Sequence, residues 1–573
     1  MKCRILIDDR DYTSWKFHDF DTNLEINNEE LERINPIELK LFTNDIIEHN
    51  GHVCCSNTRK CPTLAGTLIL EQNKTYGRTQ NGKRPYYKCI PDDYRLPVFL
   101  VPYDMKMGFS KRFVNKYVVF QFDNWDNKHP TGMLMNVLGD VDDLKAFYEY
   151  QLYRRNISHT ITEFTSRTKK LFKKDNYKDY ADTILQNPNF KIEERLDANV
   201  FSIDPKGSKD LDDAFSIKSL ENGQYRISVY IANVYFWMET FGLWDSLNNR
   251  VSTIYLPDRR RPMLPTILSD NLCSLLEKQL RFAFCMDVFM DENGNIMKNN
   301  DGDDHIEFKN VMIRTRNNFA YGEPRLSKER DYNTLYRITK CMKYDIEDSH
   351  DVVAQWMIFM NSRCGEFMVK RKFGIFRSAI AKNTVVTNKN DNLTDETQRV
   401  IDNWKNLSGQ YIAFDENADN MRHDALNKKN YVHMTSPIRR LVDLLNQLMF
   451  FCEFNMVQNQ SSMSVNFLKK WLDNLDYINE SMRSVRKVQN DCEMMTMCVK
   501  NPDIVNHTYS GVIFDKIIRN NGVFTYMIYI EKLKLFTKLT TDDILIERTP
   551  LCVRLYVYMY ECNSNKRVRV EKV

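Results

Sequence analysis

The chain has 573 residues, 42% hydrophobic and 28% charged, with a formal net charge of +4. That length holds roughly three or four domains of ordinary soluble composition. So small a net charge excludes a bulk polycation, and any basic surface must be local. The fourteen cysteines are scattered and include a Cys54-Cys55 pair, but no two C-x-x-C motifs, which argues against structural zinc. The opening MKCRILIDDRDY has no apolar core for a signal peptide. No apolar run approaches the ~18 residues of a membrane span. These features predict an intracellular, cytoplasmic monomer with reduced thiols and no membrane contact.

In chain order, residues 1–50 read as a small appended element of mixed charge and short apolar runs. Residues 51–105 alternate turn signals with strands, as in LAGTLILEQNKTYGRTQNGKRPYYKCI, and predict a small barrel. A second barrel is expected within 106–190, from YVVFQFDNW and HPTGMLMNVLGD, followed by helical patterns from about 141 to 185. Residues 191–500 form the largest block, mixed strand and then mostly helix. Short strands return over 505–573, in TYSGVIFDKII, VFTYMIYIEKLKLF and VRLYVYMY, and predict a barrel of the OB kind. Small barrels with aromatic strands commonly bind single-stranded nucleic acid, although any one Tyr or Phe here also reads as barrel core.

The densest chemical signal is FSIDPKGSKDLDDAFSI, with Asp204, Asp210, Asp212 and Asp213 within ten residues. Crowded carboxylates repel and raise one another's pKa unless a cation neutralises them. A solvated turn is one reading. A helix-loop-helix calcium loop fails, because Lys209 and Phe215 fall where Gly and Glu are required. Magnesium fits better, since it needs one or two direct carboxylates and completes its shell with water and phosphate.

A second signal is YVHMTSPIRRLVD over 431–443. Ser436 reads as a helix N-cap with Pro437 at the first helical position. Arg439 and Arg440 then fall in the first turn, where cations oppose the helix dipole unless an anion is bound. Asp443 is placed to pair with Arg439, four residues earlier. The alternative is a surface helix start with an ordinary ion pair.

Together these motifs resemble the RNB family of exoribonucleases, which includes bacterial ribonucleases II and R and the eukaryotic Dis3 nuclease. The aspartates match its D-x5-D-x-D-D signature. YLPDRRRPMLPTILSDNLCSL over 255–275 is similar to its YLP…PMLP…CSL segment, and VHMTSPIRR to its H-x-TSPIRR segment. The resemblance implies an α+β multidomain fold: cold-shock-like OB barrels, a central α/β catalytic domain at 191–500 and an S1-like OB barrel at 505–573. It implies magnesium-dependent, processive 3′→5′ hydrolysis of single-stranded RNA to nucleoside 5′-monophosphates, with barrels leading the strand into a channel. Asp204, Asp210 and Asp213 would hold magnesium, with manganese as the alternative ion. Asp212 would complete a second metal site on the scissile phosphate. Arg439 would meet the reacting phosphate, and Arg440 a neighbouring phosphate or a structural partner. Tyr255 would stack on terminal bases, Tyr321 would line the channel, and Ser436 would belong to the RNA-binding segment.

The chain departs from the family pattern at several places. Tyr230 and Asn233 stand where His and Asp are usual, and Ala354 and Gln355 where two glutamates are usual. Leu441, Gln447 and Leu448 replace Tyr and His-Arg. The alternative function is therefore a weak or inactive RNB-like protein that binds RNA, and a third is an assembly protein. Richness in Asn, Lys and Ile fits an AT-rich genome such as that of a large DNA virus, which would place the protein in host cytoplasm.

Overall fold

The structure is a computed structural model and describes residues 2–573 apart from 27, 49, 72, 106–112, 174–176, 344, 381–392, 395–396, 399, 402–408, 519–521 and 561–564. The chain divides into two compact units, one of Met1–Ser158, Leu256–Arg259 and Ser484–Val573, the other of His159–Tyr255 and Arg260–Arg483. Among the described residues no helix is long and apolar enough to cross a membrane.

The first unit holds an N-terminal five-stranded sheet and two closed five-stranded barrels. The N-terminal sheet is more than an appendage. Phe42 stacks on Phe99 of the neighbouring barrel with ring centroids 5.9 Å apart, and the two share one apolar core. The barrels expected at 51–105 and 106–190 are one barrel. Its strands are Leu64–Leu68, Tyr86–Pro91, Phe99–Pro102, Lys116–Asn124 and Thr131–Asp140. Lys116–Asn124 pairs with both Leu64–Leu68 and Thr131–Asp140, so the long strand from the second half closes the first. With three strands before residue 105 and two after it, neither half can close a barrel alone. The C-terminal barrel, Thr508–Ile518 to Asn565–Lys572, forms as the strand pattern predicts. The division between the units falls inside the helix Leu475–Lys500, earlier than the boundary read from sequence.

The second unit is built on a third closed barrel. Its strands in order are β1 (Ile192–Asp204), β2 (Asp213–Ser219), β3 (Tyr225–Ala232), β4 (Leu280–Met290) and β5 (Ile306–Ala320). β1 and β5 run parallel and close the ring, with Asp204 opposite Ala320. Helices α1 (Ser349–Lys370) and α2 (Leu441–Glu453) belong to the same unit. α1 starts on a capping box between Asp348 and Asp351. α2 buries nearly every residue, including the polar Asp443, Asn446 and Gln447. Buried polar groups need partners, and those of α2 hold the segments that carry the site.

One buried ion pair ties the barrel across β1 and β4. Arg195 donates from both terminal nitrogens to Asp287, at 2.8 and 2.6 Å, and Ser228 Oγ donates to the same carboxylate at 2.6 Å. Burial works to raise the Asp287 pKa, but the Arg195 hydrogen bonds and charge, with Ser228, hold it below the ordinary aspartate value. This contribution is therefore complete above the ordinary aspartate range and is lost as pH falls through the depressed folded value. Removing one partner strands a buried cation. Asp287→Ala is expected to lower unfolding free energy by about 3–5 kcal/mol at neutral pH, measured by urea denaturation.

Candidate active site

Asp204 ends β1 and Asp213 begins β2, so the aspartate loop is one strand connection at a barrel end. It opens with a turn in which Ser208 N–H donates to Pro205 C=O at 3.0 Å. Gly207 lies at φ +85°, a conformation that favours glycine. The rest of the loop is held by the Cys273-Ser-Leu275 segment. Leu211 N–H donates to Ser274 Oγ at 3.0 Å, Ser274 Oγ donates to Lys209 C=O at 2.8 Å, and Leu275 N–H donates to Leu211 C=O at 3.0 Å. Ala232 N–H, at the end of β3, donates to Asp212 C=O at 2.7 Å.

The four carboxylates do not share one centre. Asp210 forms an ion pair with Arg260, Nη1 to Oδ1 at 2.8 Å, and accepts a hydrogen bond from the Tyr255 hydroxyl at 2.8 Å. Arg260 also pairs with Asp270. Asp212, 2% exposed, accepts from Ile438 N–H at 3.0 Å and from Arg439 Nε at 3.1 Å. That leaves Asp204 and Asp213, whose buried Oδ2 atoms have no hydrogen-bond partner among the described residues. Burial pushes Asp204 up to about 6, opposed by Ser202 and Arg439 and reinforced by Asp210. Burial raises Asp213 well above the ordinary range, with Asp204 and Asp212 adding to it. Asp212 is pushed up to about 7 by burial, against the pull of Arg439 and the Ile438 amide.

The arginine segment differs from its sequence reading. Ser436 is not an N-cap. Residues 436–440 form a turn in which Arg439 N–H and Arg440 N–H donate to Ser436 C=O at 3.2 and 2.9 Å, and α2 begins only at Leu441. Arg439 pairs with Asp212, not with Asp443. It is Arg440 that donates to Asp443, at 2.9 Å. Ser436 is 3% exposed, too buried for the RNA contact read from sequence, and its N–H donates to Asp443 Oδ1 at 2.7 Å. In this turn two buried amides are satisfied by carboxylates, Ile438 N–H by Asp212 and Ser436 N–H by Asp443.

The segment leading to Tyr255 is joined to this turn. Thr253 N–H donates to Arg439 C=O at 3.0 Å, and Leu441 N–H donates to Val251 C=O at 2.9 Å. Tyr255 is 42% exposed, with its hydroxyl on Asp210. Tyr321 N–H donates to Asp204 C=O at 3.0 Å, and its ring packs edge-on to His350. Burial raises the Tyr321 pKa, and the charges of Asp213 and Asp204 add to it.

The altered positions take structural roles. Tyr230 is fully buried, with its hydroxyl 2.8 Å from Ser216 Oγ. Asn233 accepts Phe236 N–H at 3.1 Å and donates to Asn310 at 3.1 Å. Gln447 donates to Ala232 C=O at 3.3 Å. Ala354 and Gln355 are half-buried on α1. Sequence reasoning missed Arg260 and the partners of Asp443. The Asp258-Arg-Arg-Arg261 run, dense in charge within an otherwise apolar segment, was the available signal for Arg260.

Two partnerless buried carboxylate oxygens, on residues whose pKa values are raised, form an all-oxygen donor pair suited to a hard divalent cation. The residues thus fit such an ion at Asp204 and Asp213, whereas Asp210 and Asp212 are paired with arginines, a pairing that burial of Asp212 still outweighs. Among the described residues, the three-member group with ligating atoms within 4.8 Å of one another is Asp348, His350 and Asp351, at the α1 capping box. Asp213→Asn is expected to melt no lower than wild type in EDTA, because it removes one of two repelling groups. Wild type should gain stability with added magnesium or manganese, about 2.7 kcal/mol at a hundredfold excess over Kd, and the variant should not. Differential scanning fluorimetry with and without metal reads both effects.

Comparison with known proteins adds lineage to this geometry. Residues 194–331 and 323–451 match the model of the RNB domain, and 86–153 match the Dis3-like cold-shock domain 2. The second match crosses residue 105, as the single barrel does. The exosome complex exonuclease dis3 of Schizosaccharomyces pombe is 29% identical over 307 residues, 51% of this chain and 29% of that protein. The chain spans a third or less of the length of such curated relatives. Among solved structures, Mycoplasma genitalium RNase R in complex with ribose methylated single-stranded RNA shares the fold, with a TM-score of 0.70, 16% identity and 100% of both chains covered. Yeast Ssd1, described as a pseudonuclease, shares it with a TM-score of 0.57 at 13% identity, over 97% of this chain and 81% of that one.

Proposed function

Because the chain belongs to the RNB family, we propose that it hydrolyses single-stranded RNA processively from the 3′ end, releasing nucleoside 5′-monophosphates with magnesium, or manganese, as the cofactor. The observation that carries this reading is the posture of Arg439. Its Nε is held by Asp212, its side chain is 43% exposed, and its terminal nitrogens make no hydrogen bond among the described residues. A guanidinium fixed at one edge and open at the other is prepared for phosphate oxygens, where charge develops in phosphoryl transfer.

In this reading Asp204 and Asp213 hold a divalent cation, and a second ion would gather on Asp210 or Asp212 once phosphate competes for their arginines. Bound divalent cations supply Lewis acidity and acidify a coordinated water. Asp212 orients Arg439 towards the phosphate. Tyr255, anchored through its hydroxyl on Asp210 and 42% exposed, offers a stacking face for a terminal base. Tyr321 stands against Asp204 and lines the approach.

One observation favours a second reading. Arg260 and Arg439 already pair with two of the four aspartates, so the chain stabilises part of its own acidic cluster, as a protein that binds RNA without cutting it could. A 5′-labelled single-stranded RNA separates the two. A shortening ladder that requires magnesium and stops with Asp212→Asn supports hydrolysis. RNA bound tightly in magnesium and left at full length supports the binder. Arg439→Ala is expected to lower kcat by about 10²–10³-fold, read from the same ladder.

A further inference from the structure

We infer that Asp443 is a positioning residue for the reaction, fixing the Ser436–Arg440 turn and thereby the place of Arg439. The inference rests on the exoribonuclease reading above. Asp443 is fully buried, and its hydrogen bonds among the described residues go to Ser436 and Arg440, not to the four aspartates. Its Oδ1 accepts Ser436 N–H at 2.7 Å and Arg440 Nη2 at 2.9 Å, while its Oδ2 has no partner among the described residues. One oxygen thus grips both ends of the turn.

The position in the helix explains why an acid stands there. Leu441 is the first residue of α2, which makes Asp443 the third, where a carboxylate is favoured by the helix dipole. In a capping box that residue reaches back to the N-cap amide. Here the N-cap residue, Arg440, makes no side-chain cap, and Asp443 reaches back seven residues to Ser436 instead. Between those two anchors lie the groups that meet Asp212, the Ile438 amide at 3.0 Å and Arg439 Nε at 3.1 Å. The far side of the turn is held separately, by Thr253 on Arg439 C=O and by Val251 C=O on Leu441. His433, just before the turn, is held by Asn446, which donates to its carbonyl at 3.0 Å. Loss of Asp443 therefore releases one side of the turn and leaves its other attachments in place.

The test compares wild type, Asp443→Ala, Asp443→Asn, Arg439→Ala and the double variant Asp443→Ala/Arg439→Ala in the full chain. Two readouts are kcat and KM on single-stranded RNA in magnesium, and amide exchange over 436–440. The alanine variant should lose about 10–100-fold in kcat, with KM held within about threefold. Asparagine, which keeps an Oδ1 acceptor, should recover most of that loss. Adding Asp443→Ala to Arg439→Ala should cost nothing further, because the residue acts through the arginine. Exchange should speed up over 436–440 while the rest of α2 keeps its protection. Multiplying losses in the double variant, or a raised KM at unchanged kcat, overturn the inference. Wild type that leaves RNA intact overturns the exoribonuclease reading instead. In that case unchanged exchange at 436–440 in Asp443→Ala overturns the positioning claim as well, while faster exchange there upholds the grip on the turn.

Discussion

Burying several carboxylates at one end of a barrel is the constraint around which the second unit is arranged. Desolvation and mutual repulsion push these groups towards the neutral form, and each must find a counter-charge, a donor or a proton. The chain answers with two arginines from distant segments. Arg260 and the Tyr255 hydroxyl take Asp210, and Arg439 with the Ile438 amide takes Asp212. Asp204 and Asp213 are left with unsatisfied oxygens. In the proposed reading, an external cation would meet that shortfall.

The surrounding structure delivers these partners through backbone hydrogen bonds between segments far apart in sequence. Ser274 and Leu275 hold the aspartate loop, the end of β3 takes the Asp212 carbonyl, and the extended stretch before Tyr255 is joined to the arginine turn. α1 contributes through Asn361, which accepts Met434 N–H at 2.9 Å and donates to Tyr431 and Thr435. Each motif is thus fixed by another motif, and each altered position, such as Tyr230 or Asn233, is absorbed into packing behind them.

Much of this was legible in the sequence because it depends on local pattern. The D-x5-D-x-D-D spacing between two apolar strands located a loop at a barrel end, and the three motifs in order pointed to the RNB lineage. What was not legible depends on long-range choice. Whether Ser436 caps a helix or closes a turn depends on carboxylates that take the Ser436 and Ile438 amides, and one of them, Asp212, lies more than two hundred residues away. The swap of Arg439 and Arg440 at Asp443 follows from the same choice. The merger of two expected barrels into one turned on Lys116–Asn124 pairing on both edges, which no alternation of apolar residues announces.

The central claim is that Asp204 and Asp213 together demand a divalent cation, while Asp210 and Asp212 are served by arginines. Manganese titration followed by electron paramagnetic resonance on the RNA-free protein tests it most directly. The account predicts bound manganese that disappears in Asp204→Asn/Asp213→Asn and persists in Asp210→Asn. Binding unaffected by the double variant, or abolished equally by Asp210→Asn, would contradict it.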